Sequence, residues 1–208
     1  MALYHKATIT PSKAELIAGW APTQPWYPKG GNEPQVVGAF RYDDPNGLVG
    51  IETHLIDVDG THFQVPVTYR NEALENAEGA FMGQVEHSAL GTRWVYDGLG
   101  DEVYLVMLAA IAMTGQGEAI GMVVYDDRWT IAPSNVRLQG GGWGMDRVAV
   151  DQMTVQSADS DKTVLANEAF ELTFFRQPPL APTRPSMGLT AMWDGLTTPL
   201  LLAQVTKR

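Results

Sequence analysis

Glu52 and His54 stand two apart in a stretch of alternating residues, so on a strand they face one side, while His62 and Gln64 lie on the hairpin partner that follows. A carboxylate with two imidazoles is a donor set for a divalent metal or a proton-transfer pair. The bland alternative for Glu52, His54 and His62 is the solvated face of a half-exposed sheet. A second cluster is Glu86-His87-Ser88-Ala89-Leu90-Gly91-Thr92-Arg93-Trp94-Val95-Tyr96-Asp97, twelve residues with acids, an imidazole, a guanidinium, hydroxyls and aromatics. If Glu86, His87, Arg93 and Asp97 converge, they could hold a polar ligand such as a sugar, with Trp94 or Tyr96 stacking beside it. Otherwise Arg93 pairs with Asp97 or Glu86 and merely ties strands together. Adjacent His87 and Ser88 point to opposite faces of a strand, and no Gly-x-Ser-x-Gly elbow is present, so a hydrolase nucleophile is not indicated. Gln139-Gly140-Gly141-Gly142-Trp143-Gly144 is the one glycine-rich run; without a following Lys-Ser/Thr and helix it reads as a hairpin tip rather than a phosphate cradle.

The elements that must carry these residues divide the chain near Gly117. Thr10 to Trp20 predicts a short helix, with Pro11 at its first position and Ser12 to Glu15 at capping-box spacing. Val36–Tyr42, Gly50–Val58 and Thr61–Tyr69 predict an antiparallel meander, because Asn46-Gly47 and Asp59-Gly60 tolerate the positive φ of hairpin turns. Asn71–Gly79 predicts a short helix, and Met82–Tyr96 two strands folded at Leu90-Gly91. Asp101 caps a helix to about Thr114, apolar on nearly every face and therefore expected to be buried across the meander. After Gly117 the expectation is all-β, with strands at Ala119–Asp126, Ser134–Leu138, Arg147–Gln156, Thr163–Arg176, Gly188–Trp193 and Pro199–Val205 and a proline-rich bend at Pro178–Pro182. The fold class is α+β, in two units, 1–117 and 118–208.

With 14 Lys+Arg against 24 Asp+Glu, the 208-residue chain carries a formal charge of −10, which speaks against nucleic acid as a partner. Zero cysteines exclude disulfides and thiol chemistry and fit a reducing compartment, by default the cytoplasm. The longest apolar window, Val103–Met113, is about half a membrane span, and Met1 to Lys6 does not read as a signal peptide. No membrane partner and no cofactor is expected.

Three stretches carry a family resemblance: Trp26-Tyr27-Pro28-Lys29-Gly30, Phe63-Gln64-Val65-Pro66-Val67-Thr68-Tyr69-Arg70, and Trp94-Val95-Tyr96-Asp97-Gly98 leading into the apolar helix. Together they resemble the N-terminal cap domain of actinobacterial maltokinases, over about residues 1–115. The second half, with Leu189-Thr190-Ala191-Met192-Trp193-Asp194-Gly195 and Leu200–Ala203, resembles short proteins that carry this cap without a kinase body. The resemblance implies a cystatin-like curved antiparallel sheet embracing a helix, followed by a mostly antiparallel β unit. A kinase lobe needs catalytic and magnesium-holding aspartates that the second half does not supply, so activity is not carried over. The expected role is a non-catalytic binding or regulatory module linked to trehalose, maltose or glycogen metabolism. The alternative is a sugar- or sugar-phosphate-binding enzyme or sensor built on the Glu86–Asp97 block. The partner is a protein or a small carbohydrate, and an oligomer is left open. Trp26, Tyr27 and Lys29, in a loop stiffened by Pro22, Pro25 and Pro28, are candidate partner anchors; alternatively both rings fold back over the meander or the first helix near Trp20.

Overall fold

The computed structural model describes residues 2–4, 7–132, 134–142, 147–181 and 186–208; Met1, His5, Lys6, Trp143, Gly144 and Pro182 lie outside them. The elements in chain order are β1 (Ala2–Tyr4), β2 (Ile9–Thr10), α1 (Lys13–Trp20), β3 (Gln35–Asp43), β4 (Gly50–Val58), β5 (Thr61–Arg70), β6 (Phe81–His87), β7 (Gly91–Asp97) and α2 (Glu102–Thr114). They continue as β8 (Gly121–Tyr125), β9 (Arg128–Ala132), β10 (Val136–Gly140), β11 (Thr154–Ala158), β12 (Lys162–Ala166), β13 (Phe170–Phe175), β14 (Gly188–Trp193) and β15 (Leu200–Lys207). The class is α+β, mainly β and mostly antiparallel.

Two six-stranded sheets make up most of the chain. The first runs β2-β6-β7-β5-β4-β3 and the second β10-β14-β15-β13-β12-β11. A three-stranded sheet, β1-β8-β9, joins the start of the chain to the segment beyond residue 117, and its β1–β8 pairing is parallel. Alternation along β4 and β5 separates two cores. Ile56, Val58, Phe63, Val65 and Val67 face α1, whereas Ile51 and Leu55 face α2 and the second sheet. The expected burial of α2 holds, but it is packed between the two sheets, with Tyr104, Leu108 and Ala112 sharing one core with Leu172, Leu189 and Leu202.

The caps follow the sequence closely. Ser12 accepts from the Glu15 amide while Glu15 Oε2 accepts from the Ser12 amide at 2.7 Å, a complete capping box, and Pro11 lies outside the helix rather than at its first position. Asp101 caps α2 through the Val103 amide at 3.0 Å, and Gly115 ends the helix at φ 74°. Among the described residues no helix is long and apolar enough to cross a membrane.

Four local expectations are corrected. Asn71–Gly79 is not a helix: the Leu74 amide donates to the Tyr96 hydroxyl at 2.8 Å, and Asn76 sits at φ 57°. The Ala119–Asp126 strand continues into a hairpin, because Asp126 and Asp127 adopt φ 47° and 58° and turn the chain without a glycine. Thr163–Arg176 is likewise two strands, turned where Asn167 Oδ1 accepts from the amides of Ala169 and Phe170. The strand expected over Arg147–Gln156 begins only at Thr154, after Gln152 at φ 56°.

Candidate functional site

Glu52 and His54 do share a face of β4, but this face lies against α1. Glu52 is 4% exposed, receives both hydrogen bonds of the Lys13 ammonium at 2.6 and 2.7 Å, and has His54 Nε2 at 3.3 Å and Arg41 Nε at 3.5 Å. Tyr69 stands beside it, its phenol pushed up first by burial and then by the Glu52 charge. Burial by itself would raise the Glu52 carboxyl; the neighbouring His54 imidazole and the positive charges of Lys13 and Arg41 outweigh it and hold the group far below the usual carboxylate range. A carboxylate so stabilised is a poor proton acceptor, so the cluster fastens α1 to the sheet rather than poising a base.

His62 is not part of it. The two-residue Asp59-Gly60 turn pairs Val58 with Thr61, and the register then sets His54 opposite Val65 but His62 opposite Asp57, on the other face. There His62 Nε2 lies 3.5 Å from Asp57 and its ring meets the edge of Trp193 at 5.2 Å. The three proposed metal ligands are thus divided between two faces of one sheet, and among the described residues no group of three or more such donors gathers.

The low folded-state value for Glu52 has a consequence for pH. Its stabilising contribution is complete above the unfolded value near 4.5 and is lost as pH falls below it toward the depressed folded value. Stability of the native protein should therefore fall through this acid range by up to about 1.4 kcal/mol per pH unit from this group. Glu52→Gln should flatten that slope, which urea titrations at a series of pH values from neutral to acid will measure; an unchanged slope refutes the assignment.

The block from Glu86 to Asp97 occupies β6, its turn and β7, and it does not converge. Glu86 accepts from the Thr92 hydroxyl at 2.7 Å at one end, and His87 Nδ1 accepts from the amides of Ala89 and Leu90, closing the turn. Arg93 donates to the Leu90 carbonyl, Trp94 packs on Phe81 at 5.7 Å, and Tyr96 is buried against the same ring. Asp97 lies five residues beyond Thr92, roughly 17 Å along the strand at about 3.4 Å per residue. It pairs instead with Arg176 of the second sheet.

That pair belongs to a buried polar junction which the local motifs do not announce. Arg176 Nη2 reaches Asp97 Oδ2 at 2.8 Å and Nη1 donates to the Gln64 carbonyl at 3.1 Å. The Gln64 side-chain amide donates to the Leu202 carbonyl at 2.8 Å and to the Phe175 carbonyl, while its main-chain N–H donates to the Arg176 carbonyl at 2.9 Å. Thr53 and Tyr104 share a 2.8 Å hydrogen bond nearby, and burial, as the largest cause, raises the Tyr104 phenol. A second tie anchors α2: Asp101, fully buried, takes two bonds from Arg70 at 2.7 and 2.8 Å and one from the Thr68 hydroxyl at 2.7 Å.

Trp26 and Tyr27 are each 8% exposed and belong to the core under α1, so they are not displayed anchors. Trp26 packs on Trp20, Tyr27 and Phe63 and lies under the Arg176 guanidinium at 4.8 Å; the Tyr27 hydroxyl donates to the Asn32 carbonyl. Lys29, next in the loop, is exposed. The glycine run has a structural reason as well. The amides of Gly140, Gly141 and Gly142 donate to the carbonyls of Gln116, Gly188 and Ala112, and a Cβ on Gly140 would lie 2.2 Å from the Ile111 carbonyl oxygen. Gly140 and Gly142 are glycine because their backbone presses on the end of α2, and the amides of Gly140 to Gly142 are already used.

No curated protein matches the chain. A family model does: residues 20–101 match the maltokinase N-terminal cap domain, a stretch that opens at Trp20, contains β3 to β7 and closes on the helix cap Asp101. The five strands, the buried aromatic loop and the Arg70–Asp101 tie fall inside it, and residues 20–101 are accordingly similar to the maltokinase N-terminal cap domain.

Proposed function

We propose that the chain is a non-catalytic binding or regulatory module, acting in the cytoplasm beside trehalose, maltose and glycogen metabolism. One observation carries this reading. The cap-like segment's buried polar groups Gln64 and Asp97 are engaged by the Phe175 and Leu202 carbonyls of β13 and β15 and by Arg176, so this segment is joined to an antiparallel β unit through its buried polar side chains. Supporting it, the three buried carboxylates of the segment serve as ties: Glu52 to α1, Asp101 to Arg70, Asp97 to Arg176. Phosphoryl transfer depends on positioned charges and metal ions, and carboxylates engaged in this way are not free to hold one.

Protein freed of contaminating kinases should form ADP from ATP at the same rate with and without maltose. Maltose-dependent ADP formation would overturn the non-catalytic reading. The binding role is tested by thermal shift against maltose, trehalose, their phosphates and nucleotides, and by retention of enzymes of this metabolism on immobilised protein. A rise in Tm with one of these sugars would name the ligand, and neither shift nor retention would remove the link to that metabolism.

A further inference from the structure

One face of the β8–β9 hairpin is apolar, and among the described residues it is largely exposed. Register pairs Met122 with Ile131 and Val124 with Trp129, so these four side chains share one face, which Ile120 extends by alternation just before β8. Arg128 and Thr130 of β9, with Val123 of β8, alternate onto the opposite face. Exposure is 59% for Trp129, 65% for Ile131, 64% for Ile120 and 47% for Val124. The alternation of apolar and polar residues along β9 is the pattern of a face made to be covered, and β9 is also an edge strand with neither Pro nor Lys to blunt it. Beside α2 the apolar face borders a cavity of about 540 Å³ lined by Ile120, Met122, Met107 and Ile111 together with Asp43 and Glu118.

We propose that this face docks against the same face of a second copy of the chain. The covered area decides for it: the four exposed side chains present on the order of 400 Å² of apolar surface per copy, so a pair of faces with Met122 and the adjoining main chain approaches the roughly 1,000 Å² of a specific interface. The charge pattern agrees. The chain carries −10, which opposes contact between copies in general, yet the five side chains of this face are uncharged, the Asp43 and Glu118 carboxylates lying at its margin. Self-docking here is accordingly driven by apolar burial, and salt strengthens it by screening the remaining repulsion. The inference stands apart from the proposed metabolic role, whose assays read ADP and sugar binding.

Sedimentation equilibrium of the full chain from about 1 to 200 µM, at low and high salt, tests it. The native protein should approach twice the monomer mass, with more dimer at high salt. Trp129→Ser combined with Ile131→Ser should weaken association at least about tenfold, while Thr130→Ser, on the opposite face, leaves it unchanged. Both variants replace exposed residues, and unchanged circular dichroism and Tm verify that they fold. A native protein that stays monomeric across the range overturns the proposal, as does a double variant that dimerises like the native chain, or association that salt dissolves.

Discussion

Trp26→Ala should cost about 4 kcal/mol of folding free energy, the scale of a large aromatic removed from a core. The ring closes the space between α1 and β5, with centroids 6.0 Å from Trp20 and 5.7 Å from Phe63, and it also forms the floor under Arg176 at 4.8 Å. Its loss would leave a cavity bounded by the stiff meander, which cannot collapse into it, and would bare a guanidinium held over an aromatic face. For a chain of this length such a loss lowers Tm by roughly 10 °C, and a urea midpoint measures it directly. Trp26→Phe, keeping an aromatic floor, should lose about half as much. An unchanged midpoint for Trp26→Ala would mean that the ring lies outside the core in solution and would restore the displayed-anchor reading of the loop.

What the sequence makes legible is local. Asp59-Gly60 announces a two-residue turn, and once that turn is placed, paired residue numbers in β4 and β5 must sum to 119, as for Val58 and Thr61. That arithmetic already excludes His62 from the face of His54. Asp101 and the Ser12–Glu15 spacing announce helix starts, because a cap is a bond over three residues or fewer. The β8–β9 turn is hidden, since paired aspartates at positive φ imitate a solvated strand end. Gly140 to Gly142 resemble a flexible tip because glycine serves both freedom and close approach, and only the position of α2 distinguishes the two.

The polar junctions were illegible for a different reason: each is assembled across sequence distance. Arg41 meets Glu52 through a β3–β4 register that a bulge between Val36 and Gly38 shifts, and Lys13 arrives from a helix docked on the sheet. Glu86 and Asp97 looked like neighbours because they are close in number, yet extended strand separates them and each turns to a nearer partner. Arg176 is 79 residues from Asp97, at the end of a strand whose pattern shows an apolar alternation and nothing more.

Arg176→Met should therefore be the most damaging change in the second half, costing about 3 to 5 kcal/mol as an uncompensated buried charge. The guanidinium side chain is 5% exposed and that of Asp97 11%, so neither has much water to return to. Without it, Asp97 Oδ2 loses its ion pair, the Gln64 carbonyl loses a donor, and the face of Trp26 loses its cation. Asp97→Asn removes the opposite charge while keeping the oxygen that accepts from the Leu99 amide at 3.1 Å, so its cost reports the unpaired arginine and not the lost cap. The double variant has no buried charge left at this position. Its loss should consequently be at least about 1 kcal/mol smaller than the sum of the single losses, a coupling that a double-mutant cycle in urea isolates. Additive single losses would mean that water reaches the pair and screens it, and the two sheets would then be held together by the Gln64 hydrogen bonds, α2 and the apolar core.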